Sequence, residues 1–149
     1  MDPKDPLLSH QYEVVLALAN EFRKITVITG RIGQVNPDPR IRIISTNWRP
    51  GHRLINILML FFKAIPQIIR GDFNSVFYHM TDLQSAFLAP FVKLRRRRQF
   101  LWYAHTFKSK YLVFASRWVT GIVTSTRGSC PLTGEFITPI GQAIDQDKF

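Results

Sequence analysis

Side chains that can carry protons or hydrogen bonds follow three predicted strands of this sequence, each where its strand ends. His105 and Thr106 close one apolar run, Thr126 closes the next, and His79 and Asp82 lie at the end of a third. Ligands of open parallel sheets bind at the carboxyl edge, where such strand ends meet. A histidine there can hydrogen-bond a ligand through either ring nitrogen near neutral pH. The pattern predicts one polar ligand-binding crevice.

Each of these residues also has a purely structural interpretation. A strand-end histidine is often satisfied by backbone groups, and a strand-end threonine by a turn. Asp82 precedes an apolar helical repeat and suits a helix N-cap. Ser9 and His10 lie at the predicted start of the first helix, where free N–H groups favour anions. Capping accounts for Ser9 as well as phosphate contact does.

The elements that must position these residues alternate between strand and helix. The central unit covers residues 99–126: a buried strand ending at His105-Thr106, a crossover helix over residues 107–118, and a strand ending at Thr126. Further strands are predicted at residues 25–29, 41–45, 75–79 and 136–141, and further helices from residue 9, over 53–70 and from 82 to 98. This alternation predicts an α/β fold with a doubly wound, mostly parallel, Rossmann-like sheet.

The composition fits one globular domain. A hydrophobic fraction of 46% over 149 residues can fill a core. The lone cysteine, Cys130, excludes an intrachain disulfide, and we interpret it as an ordinary half-buried thiol in a reducing compartment. Asn56, Lys63 and Pro66 interrupt the most apolar segment, which argues against a membrane-spanning helix of about 20 apolar residues.

Twenty basic residues against ten acidic ones give a formal charge of +10, which favours polyanionic partners. Anionic lipid attracts basic residues by about 1 kcal/mol each near the surface. Nucleic-acid contact and a solvated helix end are the alternatives, and we disfavour nucleic acid because the aromatic residues that follow alternate within a buried strand. Four arginines carry these interpretations at the predicted end of a helix: Arg95, Arg96, Arg97 and Arg98.

Four segments in a fixed order carry a further signal. Residues 5–10, Asp-Pro-Leu-Leu-Ser-His, lead into the first helix and the strand at 25–29. Phe77-Tyr-His79-Met-Thr-Asp82 and Tyr103-Ala-His105-Thr106 end two later strands, and residues 139–149 fit Pro-x-Gly-x-x-Asp-x-x-x-Phe with one extra residue before the aspartate. Together they resemble the N-terminal, acceptor-side domain of retaining family 4 glycosyltransferases, which have the GT-B fold.

This resemblance implies transfer of a hexose from a nucleotide-sugar to a glycan or lipid-linked acceptor, with retention and without a cofactor or metal. It implies that His105 lies beside the reacting sugar as the catalytic residue. The predicted substrate contacts are Ser9, His10, His79, Asp82, Thr106 and Thr126. An enzyme with a lipid-linked acceptor would be cytoplasmic, peripheral at the inner face of the membrane, and Arg95–98 would contact that surface or another polyanion.

The sequence departs from the family in two places. Leu7-Leu8-Ser9 stands where the first loop commonly has a Gly-Gly pair near the nucleotide phosphates. Residues 1–149 correspond to one domain, with residues 138–149 as the boundary towards a donor-binding second domain, so we expect this chain alone to be inactive. The strand expected before the first helix is also missing. That strand would be central in the order 3-2-1-4-5-6, so its loss would leave unpaired sheet edges unless an upstream or other segment fills the slot.

Two other classes of protein compete with this interpretation. A non-catalytic basic α/β module could bind nucleic acid or another protein through its charge. A dinucleotide-binding oxidoreductase is weaker, because no Gly-x-Gly-x-x-Gly follows any predicted strand.

Overall fold

The computed structural model describes residues 9–35 and 38–141, with side chains from residue 11 onwards. The described residues form an α/β structure in which every paired strand is parallel. In chain order the elements are α1 Ser9–Glu21, β1 Ile25–Thr29, β2 Ile41–Ser45, α2 Arg53–Arg70, β3 Ser75–His79, α3 Asp82–Leu94, β4 Arg98–Trp102, α4 Lys110–Ala115, β5 Gly121–Thr124, a 3-10 turn Arg127–Ser129, and β6 Ile137–Pro139. The chain divides into two compact units, residues 1–66 and 67–149.

In the first unit, β1 and β2 form a two-stranded sheet with Ile25 opposite Ile41. Arg40, just before β2, fastens this sheet to α1. Its guanidinium donates to the Ala19 carbonyl at 2.7 Å and pairs with Asp38 at 2.9 Å. The hydrogen bonds that the Arg40 side chain and the Arg40 backbone N–H donate to Asp38, together with the charge of Arg40, hold the pKa of Asp38 below its ordinary value.

Helix α2 has the bounds that its apolar spacing predicts, and Pro66 lies inside it. Asn56 is buried on this helix and binds the preceding loop with both ends of its amide. Its Oδ1 accepts from Arg49 N at 2.9 Å, and its Nδ2 donates to Arg49 O at 2.7 Å. Of the helices in residues 9–35 and 38–141, none is long and apolar enough to cross a bilayer.

The second unit contains a four-stranded sheet in the order β3-β4-β5-β6. Helices α3 and α4 pack against each other, and α3 packs against β4. The large apolar side chains that are fully buried at this packing come one each from α3, β4, α4 and β5: Val92, Leu101, Leu112 and Ile122. Sequence-adjacent strands pair side by side and in parallel, which needs a crossover connection of about a dozen residues or more between them. The predicted parallel pairing of β4 with β5 is confirmed.

A buried amide connects four elements of this unit. Gln99 on β4 is 0% exposed, and its Nε2 donates to Ala89 O on α3 and to Trp118 O after α4, each at 3.0 Å. Its Oε1 accepts from the Tyr78 hydroxyl on β3 at 3.1 Å. Burial raises the pKa of Tyr78, so this hydroxyl stays protonated as the donor.

The predicted end of β5 is wrong: the strand ends at Thr124, so Thr126 lies in the following loop. Three predicted boundaries around β4 are also wrong. The strand ends at Trp102, so His105 and Thr106 lie in the following loop and not in the strand. Helix α4 spans six residues, because Ser109 caps it and the chain turns after Ala115. Helix α3 ends at Leu94, so the four arginines are not its last turn.

Each sheet has two edge strands, which pair on one side only. In the described part of the chain these are β1 and β2 in the first sheet, and β3 and β6 in the second. The sequence predicts such edges when the central strand is missing. That an upstream strand or another segment fills the slot stays a prediction.

Candidate functional site

Three loops meet at the carboxyl edge of the four-stranded sheet, after β3, β4 and β5. Backbone hydrogen bonds continue beyond the strands and hold these loops in register. Met80 N donates to Trp102 O at 3.0 Å, and Tyr103 N donates to Val123 O at 2.9 Å. The predicted site residues that follow β3, β4 and β5 therefore lie side by side at the carboxyl edge of this sheet.

The loop after β3 reverses direction at Met80, whose φ of 55° lies in the left-handed region. Thr81 occupies the N-cap position of α3 but makes no side-chain cap bond within the described residues. Asp82 is the first residue of the helix, so its predicted role as N-cap is wrong. Its Oδ1 accepts from Leu83 N at 2.8 Å.

The second oxygen of Asp82 connects α3 to α4. Asp82 Oδ2 accepts a short hydrogen bond from the Ser109 hydroxyl. Ser109 Oγ in turn accepts from Leu112 N at 2.9 Å and caps α4. The Ser109 hydroxyl therefore donates its proton to the Asp82 carboxylate and accepts the Leu112 N–H at the start of α4. Both interactions favour the same orientation of the Ser109 side chain. The sequence analysis did not select Ser109, although a serine directly before an apolar helical stretch is a recognisable N-cap signal.

The loop after β4 is closed by a buried tyrosine. Tyr103 is 4% exposed, and its hydroxyl donates to Phe107 O at 2.6 Å. Burial raises the pKa of Tyr103, and the nearby Asp82 carboxylate raises it further. The tyrosine therefore remains a neutral donor at physiological pH, and it stabilises the loop from inside.

His105 and Thr106 lie on the outside of this loop, and both are exposed. The His105 ring packs edge-on against the Tyr103 ring, with centroids 5.8 Å apart and planes at 74°. Phe107 beside them is 73% exposed. The buried tyrosine therefore presents an imidazole, a hydroxyl and an apolar ring to solvent at the sheet edge.

The loop after β5 is a cluster of hydroxyl groups. Thr126 is exposed, and its Oγ1 shares a 2.6 Å hydrogen bond with Ser129 Oγ. Buried Ser125 donates to the same Ser129 oxygen at 3.0 Å. Below them, the buried Thr124 Oγ1 has no hydrogen-bond partner in the described part of the chain. The exposed Thr126 hydroxyl suits contact with a ligand rich in hydroxyl groups.

His79 lies in a different setting from His105. It is half-buried at the end of β3, with its ring 6.2 Å from Phe77 and 6.4 Å from Trp102. These two rings are its neighbours along β3 and across to β4, so all three share one face of the sheet. The aromatic packing orients His79 and leaves it less accessible to a ligand than His105.

The remaining predicted site residues are the four arginines, which do not lie at the carboxyl edge of the four-stranded sheet, and Ser9 and His10. Ser9 and His10 begin α1 in the other unit, and their side chains lie outside the described residues. Arg98 begins β4, which places the arginines at the amino edge of the sheet. Among the described side chains, no three His, Cys, Asp or Glu are grouped to hold a metal ion.

Comparison with known proteins adds no relative. No protein-family model matches the sequence, and no curated protein and no solved structure matches it. The function must therefore be argued from the sheet edge, its loops and the four sequence segments.

Proposed function

We propose that this chain is the acceptor-side half of a retaining glycosyltransferase with the GT-B fold, which transfers a hexose from a nucleotide-sugar to a glycan or lipid-linked acceptor. The observation that carries the proposal is the exposed His105 imidazole at the carboxyl edge of a parallel sheet. The bond from Tyr103 to Phe107 O holds that loop in place. The order of the four segments supports the same function.

In this reaction, the bond from the sugar's anomeric carbon to the nucleotide diphosphate breaks, and a bond to the acceptor oxygen forms on the same face. The acceptor proton passes to an oxygen of the leaving diphosphate. Neither a metal nor a cofactor is needed, so the protein contributes mainly positioning and charge stabilisation. His105 hydrogen-bonds the reacting sugar or the departing phosphate.

The surrounding residues bind and orient the acceptor. Thr106 and Thr126 supply exposed hydroxyls from the loops after β4 and β5. His79 contributes an edge of the crevice, and Asp82 acts through Ser109, which fixes the start of α4. Ser9 and His10 are proposed contacts to donor phosphate, and the donor itself binds to a second domain.

The test uses the full-length protein, including the donor-binding domain. Titration calorimetry with a panel of sugar nucleotides identifies the donor, and release of the nucleoside diphosphate measures turnover. His105→Ala should lower kcat by about 100-fold or more, as loss of one transition-state hydrogen bond does. The matched control is His52→Ala, another exposed histidine, which should keep full turnover. Equal turnover of the two variants would refute the role of His105.

A cytoplasmic position at the inner face of a membrane is the second part of the proposal. Helix α2 exposes a row of large apolar residues at helical spacing: Leu54 at 70%, Leu58 at 58% and Phe62 at 72%. Its sequence contains no acidic residue, and the Lys63 ammonium lies 5.9 Å from the centre of the Phe62 ring. An apolar face with basic neighbours is typical of helices that lie in an anionic bilayer surface.

Vesicle flotation tests this part. The protein should float with vesicles that contain anionic lipid and remain behind with neutral ones. Replacing Leu58 and Phe62 by serine should abolish flotation without loss of folding, because both side chains are already in water. The matched control replaces Ala17, an exposed residue of α1, by serine. Unchanged flotation of the double variant would exclude α2 as the membrane contact.

A non-catalytic basic module is the second candidate function, and the arginines at the amino edge favour it. Such a module would bind nucleic acid or an acidic protein. The full-length protein would then bind no sugar nucleotide. The donor titration therefore separates the two candidates.

A further inference from the structure

An open pocket of about 290 Å³ lies at the amino edge of the four-stranded sheet, opposite the three loops of the candidate site. It is formed by the end of α3, the start of β4 and the residue before β5. Its volume is at the small end of the range for small-molecule sites, about 300–1,000 Å³. The lining residues are Lys93, Arg96, Arg97, Arg98 and Thr120.

The end of α3 builds this pocket through a C-terminal capping motif. Arg96 N donates to Lys93 O at 2.8 Å, and Arg97 N donates to Val92 O at 3.4 Å. This is the Schellman arrangement, whose left-handed position is usually glycine. Here that position is Arg96, with a φ of 55°. The chain therefore keeps a long basic side chain at a backbone position where it is disfavoured.

Within residues 9–35 and 38–141, no carboxylate forms an ion pair with the basic residues of the pocket. The ion pair found in that part of the chain joins Arg40 and Asp38. Arg97 is half-buried, and its guanidinium lies 5.9 Å from the centre of the Phe73 ring. Its Nε is buried without a hydrogen-bond acceptor among the described atoms. A buried charged donor normally has a partner, so the Arg97 guanidinium is an unsatisfied positive group at the pocket wall.

We propose that this pocket binds a phosphate group. The planar fork of an arginine matches two phosphate oxygens at once, and three arginines and a lysine surround the cavity. Thr120 Oγ1 accepts from Gln99 N at 3.0 Å, which leaves its own proton for a phosphate oxygen. The bound phosphate is held at the amino edge of the sheet, apart from His105, and the proposal does not depend on the glycosyltransferase activity.

The phosphate can belong to a lipid headgroup or to a small soluble molecule. Two probes separate these sources with the 149-residue chain itself: inorganic phosphate in titration calorimetry, and phosphatidylcholine vesicles with and without phosphatidic acid. Phosphatidylserine vesicles control for negative charge without a phosphomonoester. Saturable binding of inorganic phosphate indicates a soluble ligand, and binding to phosphatidic acid alone indicates a lipid headgroup. Either result supports the site.

The decisive variants are Arg96→Gly and Arg95→Gln, which each remove one positive charge. Arg96→Gly relieves the left-handed backbone, so it should fold at least as well as the wild type. It should bind the phosphate probe about tenfold more weakly, because one charge-assisted hydrogen bond is lost. Arg95 caps α3 but does not line the pocket, so Arg95→Gln should bind within about twofold of the wild type. The Arg97 Nε–Hε NMR signal should shift on addition of phosphate.

Three results would overturn the proposal. The first is no binding of inorganic phosphate or of phosphatidic acid vesicles. The second is an equal loss in the two variants, which would mean a diffuse effect of net charge. The third is a single-stranded oligonucleotide that binds more tightly than both phosphate probes, with the same dependence on Arg96, which would mean a nucleic-acid contact. None of these results depends on turnover of a sugar nucleotide, so failure here and failure of the proposed activity remain distinct.

Discussion

Replacing Gln99 by leucine tests what holds the four-stranded sheet and its helices together. Leucine has a similar size and no polar atom, so it removes three hydrogen bonds from a site that is 0% exposed. At about 1 kcal/mol net for each bond, the free energy of unfolding should fall by about 3 kcal/mol. For a chain of this length that corresponds to a fall in Tm of about 6–12 °C.

The double variant with Tyr78→Phe makes this test sharper. Alone, Tyr78→Phe should cost about 1 kcal/mol, because it removes one hydrogen bond to the Gln99 oxygen. In the Gln99→Leu background the same change should be neutral or stabilising, because it deletes a buried hydroxyl that has lost its acceptor. Urea unfolding followed by tryptophan fluorescence measures each variant, and Gln84→Leu on α3 is the matched glutamine control.

Two outcomes would refute the reasoning. One is a Gln99→Leu variant within about 0.5 kcal/mol of the wild type, the usual range for a surface substitution. The other is the same cost for Tyr78→Phe in both backgrounds, which would show that the tyrosine and the amide are not coupled. In either case the sheet would be held by apolar packing alone.

Three further predictions concern the cap of α4, the buried Tyr103 and the ion pair of Asp38. Ser109→Ala should lower the free energy of unfolding by about 1 kcal/mol through loss of the cap on α4, and Ser109→Asn should lower it less, as measured by urea unfolding. The pKa of Tyr103 in the folded state lies above its unfolded value near 10, so its contribution to stability is complete below about pH 10 and is lost as the pH rises further. The free energy of unfolding, measured with urea, should therefore fall less for Tyr103→Phe than for the wild type between neutral pH and about pH 11. Asp38 has a lowered pKa, so its pairing with Arg40 contributes to stability above about pH 4, and this contribution is lost as the pH falls through the folded-state pKa. Arg40→Gln should raise the Asp38 pKa in an NMR titration. An unchanged pKa would contradict the ion pair.

Local sequence patterns were sufficient for most of the secondary structure. The β-branched runs at residues 25–29, 41–45 and 75–79 and the apolar spacing at 53–70 predicted the bounds of those elements. In each case the preference of the segment and its burial favour the same state, so no distant contact has to override it. The alternation of these elements also predicted parallel strands, because a helix between two strands returns the chain in the same direction.

Boundaries near the candidate site depended on contacts that no local pattern records. The aromatic run after Trp102 looks like a continuing strand, but Tyr103 turns inwards and its hydroxyl closes the loop on Phe107 O. Asp82 looks like an N-cap, yet its carboxylate binds Ser109, 27 residues further along the chain. The sequence placed His105 in a strand and Asp82 at an N-cap, but His105 lies in the loop after β4 and Asp82 is the first residue of α3. The groups that orient the two side chains were not predicted.

By itself, the sequence determined the α/β class, the parallel direction of the strands and the strong positive charge, because these follow from local periodicity and composition. Tertiary structure alone decided which side chains lie together. Examples are the Tyr103 ring that packs against His105, the Ser109 hydroxyl that donates to Asp82, and Arg96, which lines the basic pocket from a left-handed backbone position. The physical reason is that hydrogen bonds between distant residues, and the burial that strengthens them, exist only after the strands have paired.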